Sequence, residues 1–238
     1  RGHTSRVGDV AFSPNREDPL LASGSSDRSI ILWDLETMSP RETLLGHRSM
    51  VISLDFGPEG TTLASSSYDH SIRLWDPRAG TLERILEGHS AIVDTIDIAP
   101  DGSRLASGSR DHKAFLWDLT RGSVVSSIEI PEGPIIGVSF DSRGERIACG
   151  VAGGRSRLWT PETGEHRPVG PASGSTYWLS FSPRSSLLGL PRADGTARLV
   201  DLERGAEKVL RGHRGEVNML RFSPDERHCV TSSDDGSI

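Results

Sequence analysis

Lysine is almost missing from this chain. Of its 27 basic side chains, all but Lys113 and Lys208 are arginine. A planar guanidinium suits carboxylate and phosphate partners. The arginines are scattered, however, which fits codon bias in a GC-rich genome better than a dedicated anion site. Cysteine is scarce too: Cys149 and Cys229 stand alone. That excludes a disulfide-stapled secreted scaffold, which uses more cysteines at closer spacing. The repeat phase described below puts the two on strands of units two steps apart. A disulfide needs Cα atoms within about 7 Å, so free thiols in a reducing, cytoplasmic compartment are expected. No apolar run approaches the roughly 20 residues of a membrane span, and no signal peptide is visible. The first residue is Arg1 rather than Met, so targeting stays open.

Positive charge is in deficit. The formal net charge is −6, which argues against a nucleic-acid backbone as partner. No CxxC or HExxH spacing offers a metal site, and neither a P-loop nor a dinucleotide fingerprint occurs. Gly150 to Gly154 (GVAGG) reads as a β-turn with no following helix to receive a phosphate. No cofactor and no metal are expected. No segment shows a sustained helical period. Hydrophobic residues, at 34%, and 26 glycines give an ordinary globular apolar share, while 14 prolines add to the turn signals.

A repeat organises the chain. The strings ILWD, RLWD, FLWD and RLWT place Trp33, Trp75, Trp117 and Trp159 at intervals of 42, and Val200 follows in RLVD. Gly-His pairs lead the units at His3, His47, His89 and His213. SGSSD, SSSYD, SGSRD and SSDDG lie between. Each unit reads as four short strands. The first alternates, with Leu54 and Phe56 around Asp55, Ile96 and Ile98 around Asp97, and Leu179 and Phe181 around Ser180, as a two-faced strand should. A turn such as Pro100-Asp101-Gly102 follows. Next come a small-residue strand (Leu63 to Ser66), the Trp strand, and a rim strand (Leu82 to Leu86).

Short strands on a 42-residue period with GH and WD markers resemble the WD40 family over the whole chain. The resemblance implies an all-β propeller of four-stranded antiparallel blades. The repeats run over residues 2–45, 46–87, 88–129, 130–170, 171–211 and 212–238: five full units and a partial sixth. Residues 1–238 then form one propeller domain, incomplete at both ends, and the chain reads as a fragment of a larger, seven-bladed propeller.

His3, Ser23 and Asp27 invite a hydrolase reading, as do His47, Ser65, Asp69 and His89, Ser107, Asp111. A catalytic triad needs an exposed nucleophile and occurs once. Here the set recurs in phase with Trp33, Trp75 and Trp117. That matches the structural tetrad which the resemblance implies, in which buried Trp N–H and Ser O–H groups find partners. The sixth unit keeps His213, Thr231 and Asp235. The fourth has Pro131, Cys149 and Gly153 in place of His, Ser and Asp and keeps only Trp159. The fifth has Ala172, Leu190 and Val200 and keeps only Asp194. Blades four and five are therefore expected to be looser, and Cys149 to be a core residue rather than a reactive thiol.

The resemblance also implies three partner-facing positions per unit on the upper face. They are Arg6, Gly8 and Ser26; Met50, Ile52 and Tyr68; Ile92, Asp94 and Arg110; and Glu216, Asn218 and Asp234. Phase carried from flanking strings adds Pro134, Ile136 and Ala152, then Ser175, Tyr177 and Ala193. Met50, Ile52, Tyr68 and Ile92 beside Arg110 and Asp94 have the composition of an interaction hot spot, although Met50 and Ile92 also suit ordinary core. The expected function is a non-enzymatic scaffold for a protein or peptide ligand, with no nucleic-acid or membrane partner. The alternatives are an enzyme or small-molecule site in the central channel, using Asp94, Arg110, Glu216 and Asp234, or the non-catalytic module of a larger signalling protein carrying further domains.

Overall fold

The computed structural model describes residues 2–171 and 177–238. Among these, regular structure is entirely β, and no helix is long and apolar enough to cross a membrane.

The first sheet consists of β1 (Val7–Phe12), β2 (Leu20–Ser25), β3 (Ser29–Asp34) and β4 (Ser39–Leu45). The second holds β5 (Val51–Phe56), β6 (Leu63–Ser67), β7 (Ile72–Asp76) and β8 (Thr81–Leu86). The third holds β9 (Val93–Ile98), β10 (Arg104–Ser109), β11 (Lys113–Asp118) and β12 (Ser123–Glu129). The fourth holds β13 (Ile135–Phe140), β14 (Ile147–Val151), β15 (Arg157–Thr160) and β16 (Glu165–Pro168). The fifth holds β17 (Ser180–Phe181), β18 (Leu187–Pro191), β19 (Ala197–Asp201) and β20 (Glu207–Leu210). A two-stranded sheet of β21 (Val217–Phe222) and β22 (Cys229–Ser233) ends the chain. Each is an up-and-down meander in sequence order, the blade topology of a WD40 propeller.

The chain divides into two compact units, Arg1–Asp111 with Leu116–Val125, and His112–Phe115 with Ser126–Ile238. Within the first, the alternating faces of β1, β5 and β9 stack sheet on sheet. Leu20, Ala22, Ile30 and Leu32 of the first sheet close on Val51, Leu54, Phe56, Leu63 and Trp75 of the second. The packing leaves no room at Gly24, where a Cβ would come within 2.6 Å of Val51 Cγ1. Within the second unit, Ala148, Leu158 and Val169 pack on Leu179, Phe181, Leu188 and Leu190. In β17 even Ser180, the polar position of the alternation, is buried. At roughly 25 cal/mol per Å² of apolar surface removed from water, such sheet-to-sheet faces supply most of the stabilisation, and no sheet has them alone.

One irregularity recurs. The register between first and second strands shifts at Gly8, Ile52, Asp94, Ile136 and Asn218, a β-bulge in each of five sheets. A bulge bends the strand and re-aims a side chain at its end.

Candidate functional site

Three sheets carry a complete hydrogen-bonded chain of four side chains. In the second, Trp75 Nε1 donates to Ser65 Oγ at 2.8 Å, Ser65 Oγ lies 2.7 Å from His47 Nε2, and His47 Nδ1 lies 2.9 Å from Asp69. The first sheet repeats this through Trp33, Ser23, His3 and Asp27. The third does so through Trp117, Ser107, His89 and Asp111. Indole nitrogen only donates and carboxylate only accepts. The protons are thereby ordered: Trp N–H to Ser, Ser O–H to His Nε2, His Nδ1–H to Asp. Burial outweighs the pull of Asp69 and lowers the His47 pKa, keeping the ring neutral. Burial raises the Asp69 carboxyl, but bonds from His47, Ser71 and the Arg48 amide win, and it lies well below the usual carboxylate range.

The order of groups is that of a serine hydrolase, yet Ser65 and Ser107 are fully buried and Ser23 is 4% exposed. A lone pair of each Oγ is taken by an indole, and no substrate carbonyl reaches it. In the last sheet His213 bonds Thr231 at 2.8 Å and Asp235 at 3.2 Å. Sequence reasoning missed two further members. Ser29, Ser71 and Ser237 donate Oγ–H to the Asp two residues earlier at 2.5, 2.6 and 2.6 Å, as Thr196 does to Asp194 at 2.5 Å. Ser25, Ser67, Ser109 and Ser233 accept the backbone N–H of Asp27, Asp69, Asp111 and Asp235. The signal was present as Ser-x-Asp-x-Ser.

The fourth sheet is different. Trp159 is fully buried, and its Nε1 has no hydrogen-bond partner among the described residues. Cys149 stands opposite Arg157, as Ser65 stands opposite Arg73. Burial pushes its thiol up to about 12, the opposite of activation. The turn changes as well. In the first three sheets the left-handed residue follows the Asp (Arg28, His70, His112), whereas in the fourth it is Gly153 itself, at φ +71°. Pro131 is exposed. In the fifth sheet the bonds of Asp194 among the described residues lie within its own turn, Leu190 is buried and Val200 half-buried, while Ala172 lies outside the described residues.

The upper end of each sheet is where the loop entering the first strand meets the turn between the second and third. There the three positions singled out by the repeat phase are joined. Ser26, Tyr68, Arg110, Ala152 and Asp234 donate backbone N–H to the carbonyls of Arg6, Met50, Ile92, Pro134 and Glu216, at 2.8 to 3.0 Å. The bulge residue lies two positions after each acceptor. Ser175 lies outside the described residues; Ala193 is half-buried.

One cluster stands out. Arg110 Nε bonds Asp94 Oδ2 at 2.9 Å and Nη2 bonds Oδ1 at 3.2 Å. The guanidinium carbon lies 5.6 Å from the Tyr68 ring centroid, and Nη2 reaches the Tyr68 hydroxyl at 3.4 Å. Met50, Ile52 and Ile92 are half-buried, neither free nor core. Asp94 does not face outward as the phase suggested. It is 8% exposed, because the bulge turns it under Arg110. Burial raises its pKa against the opposing bond from Arg110. That bond in turn raises the pKa of Arg110.

Elsewhere, Tyr177 Oη donates to Glu216 at 3.0 Å and Asn218 Nδ2 to Asp234 at 2.5 Å. Arg6 is exposed. The four titratable groups proposed for a channel site are thus each engaged locally. Among the described residues no three His, Cys, Asp or Glu side chains are grouped to hold a metal ion.

Comparison with known proteins supplies a family. Residues 1–238 match the family model described as IFT122 first beta-propeller. Among individual relatives, a rice small ribosomal subunit protein, RACK1y, is 42% identical over 60 residues, 25% of this chain and 18% of the rice protein. Mouse coronin-7 is 39% identical over 59 residues, 25% of this chain and 6% of the mouse protein. The periodic tryptophan protein 1 homolog of Drosophila melanogaster is 38% identical over 58 residues, 24% of this chain and 12% of the fly protein. The matches therefore span less than a fifth of each relative.

Proposed function

This chain belongs to the IFT122 first beta-propeller family of WD40-repeat proteins, and from that premise we propose that it is a protein-interaction scaffold whose upper end docks a peptide or domain. It catalyses no reaction in this reading, works in the cytoplasm, and leaves chemistry to its partners. The reading rests on the Tyr68–Arg110–Asp94 cluster. Exposed arginines ordinarily lose rotamer freedom on binding, at about 0.5–1.5 kcal/mol for a long side chain. Arg110 is already held by a two-point bond to a buried carboxylate and by stacking near Tyr68. It presents a fixed guanidinium beside half-buried Met50, Ile52 and Ile92, an arrangement typical of interface anchors.

The structure also dictates the test. Arg110→Ala alone would leave Asp94 as a buried carboxylate without its cation, which costs stability irrespective of binding. The informative variants are Tyr68→Ala and the pair Asp94→Asn with Arg110→Gln. Partners captured from native lysate by the wild-type protein should be lost with either variant while melting temperatures stay within a few degrees. Capture unchanged by both variants would refute docking at this cluster.

A further inference from the structure

We propose that the peptide segment docked at the Tyr68–Arg110–Asp94 cluster is uncharged where it touches the protein. An apolar side chain covers Met50, Ile52 and Ile92, and an adjoining main-chain carbonyl accepts a hydrogen bond from Arg110. The inference rests on the docking reading above and supplies the chemistry of the ligand. It comes from the charges and the free hydrogen-bonding groups at the cluster.

The cation and the anion of the cluster are paired with each other. Arg110 Nε donates to Asp94 Oδ2 at 2.9 Å and Nη2 to Oδ1 at 3.2 Å. The aspartate side chain is 11% exposed and the arginine side chain 47%, so the pair shows its guanidinium and hides its carboxylate. The loops around it bring no surplus of positive charge, because Asp27, Asp69, Glu87 and Asp111 stand against Arg6, Arg28 and Arg48. A ligand therefore meets a fixed donor in a neutral setting.

The hydrogen-bonding groups left over are donors. The carbonyls of Met50 and Ile92 already accept the N–H groups of Tyr68 and Arg110, at 3.0 and 2.9 Å. Arg110 Nη2 reaches the Tyr68 hydroxyl at 3.4 Å, which leaves the proton of that hydroxyl to donate. Among the described residues Arg110 Nη1 has no hydrogen-bond partner. Beside these donors lie the half-buried side chains of Met50, Ile52 and Ile92.

Docking removes water from the cluster, and an uncompensated charge in a buried site is costly. A ligand carboxylate would set two anions on one guanidinium and leave a negative charge in the interface. A ligand cation would face Arg110 directly. A main-chain carbonyl gives Nη1 its acceptor and keeps the sum at zero. A peptide carries such a carbonyl beside every side chain, so one apolar residue supplies both the anchor and the acceptor.

The test uses the full chain as bait against a displayed library of random short peptides. Wild-type protein should enrich peptides with an aliphatic or aromatic anchor flanked by uncharged residues. A representative peptide should change affinity by less than about twofold between roughly 0.05 and 0.5 M NaCl, a range over which exposed charge pairs become screened. Replacing its main-chain carbonyl oxygens by sulfur one at a time weakens each acceptor in turn, and one position should lose about fivefold or more. The same replacement should cost less than about twofold in the residual binding of the Asp94→Asn/Arg110→Gln variant, whose fixed guanidinium is gone. The sulfur sits on the ligand, so the folding of the protein does not enter that comparison. Peptides rich in Asp or Glu, binding that falls about tenfold or more with salt, or a sulfur scan with no sensitive position would overturn the uncharged ligand. Loss of those same peptides on Tyr68→Ala would leave the docking site standing. Peptides that bind Tyr68→Ala as tightly as wild type, or no enrichment at all, would overturn both.

Discussion

Replacing one tryptophan by phenylalanine should have unequal consequences in two sheets of this protein. Trp75 and Trp159 occupy the same register, opposite Leu63 and Ile147, and both are essentially sealed from solvent. Trp→Phe removes the same ring atoms at each site and leaves a comparable cavity, a cost of about 1–3 kcal/mol. The difference lies in Nε1. At Trp75 it donates to Ser65 at 2.8 Å, so the substitution also forfeits a hydrogen bond of about 1 kcal/mol. At Trp159 it has no partner among the described residues, so the substitution removes a desolvated donor whose burial costs about 1–3 kcal/mol. Trp75→Phe should destabilise by about 2–4 kcal/mol, and Trp159→Phe should be close to neutral. In a chain of this size each kcal/mol corresponds to about 2–4 °C in Tm, so the two variants should separate by several degrees. Urea and thermal unfolding followed by far-UV circular dichroism reads the global effect. Hydrogen exchange at β7 and β15 reads the local one, which guards against unfolding that is not two-state. Equal losses in the two variants would refute the idea that the Trp159 N–H is uncompensated.

The tetrads also set an acid limit. His47 and Asp69 both have folded pKa values below their unfolded ones. Their stabilisation is complete above about pH 6.5 and is lost on acidification, first through the histidine and then below about pH 4 through the aspartates. Urea midpoints should fall from pH 8 to pH 6 and again to pH 4, and a midpoint rising between pH 7 and pH 5 would contradict this. Native protein should react with a thiol reagent at the half-buried Cys229 and not at Cys149, whose thiol is buried and pushed up to about 12. Equal labelling of both before unfolding would count against a sealed Cys149. The fourth and fifth sheets, lacking complete tetrads, should exchange amide hydrogens faster than the second, and uniform protection would show that the tetrads do not set local stability.

The fold was legible because a propeller writes its core periodically. Tryptophan at a fixed interval, alternating first strands and small second strands each state one layer of the blade, and the observed strands fall where those strings lie. The hydrogen-bonded sets were legible for the same reason, since a recurrent trio of polar residues in phase with a buried indole has few other uses. The Ser-x-Asp-x-Ser brace escaped notice because serine is common in turns of every kind. Its meaning appears only when Ser71 is seen to donate to Asp69 while Ser67 accepts that residue's amide. The altered turn of the fourth sheet was equally hidden. Gly153 reads as a lost aspartate, yet the backbone there has moved the left-handed residue onto Gly153 itself. Restoring Asp at that position would impose strain on a non-glycine residue instead of rebuilding a tetrad.

The cluster of Tyr68, Arg110 and Asp94 was only half legible, and the missing half changes its physics. Repeat phase counts residues, so it assigned Asp94 the same outward aspect as Ile52 and Asn218. All three do occupy the bulge. A bulge re-aims side chains according to what can receive them, however. Only Asp94 has a guanidinium from the adjoining turn above it, and the two-point bond draws the carboxylate under the surface. A surface with one free acid and one free base thereby becomes a surface with a fixed base. Rigid placement of Arg110 follows from the burial of Asp94, so Asp94→Asn should weaken partner binding without itself touching the partner. The same variant relieves a buried charge, and stability should fall by less than binding does. A loss of affinity matched by an equal loss of folding stability would mean that Asp94 serves the fold alone.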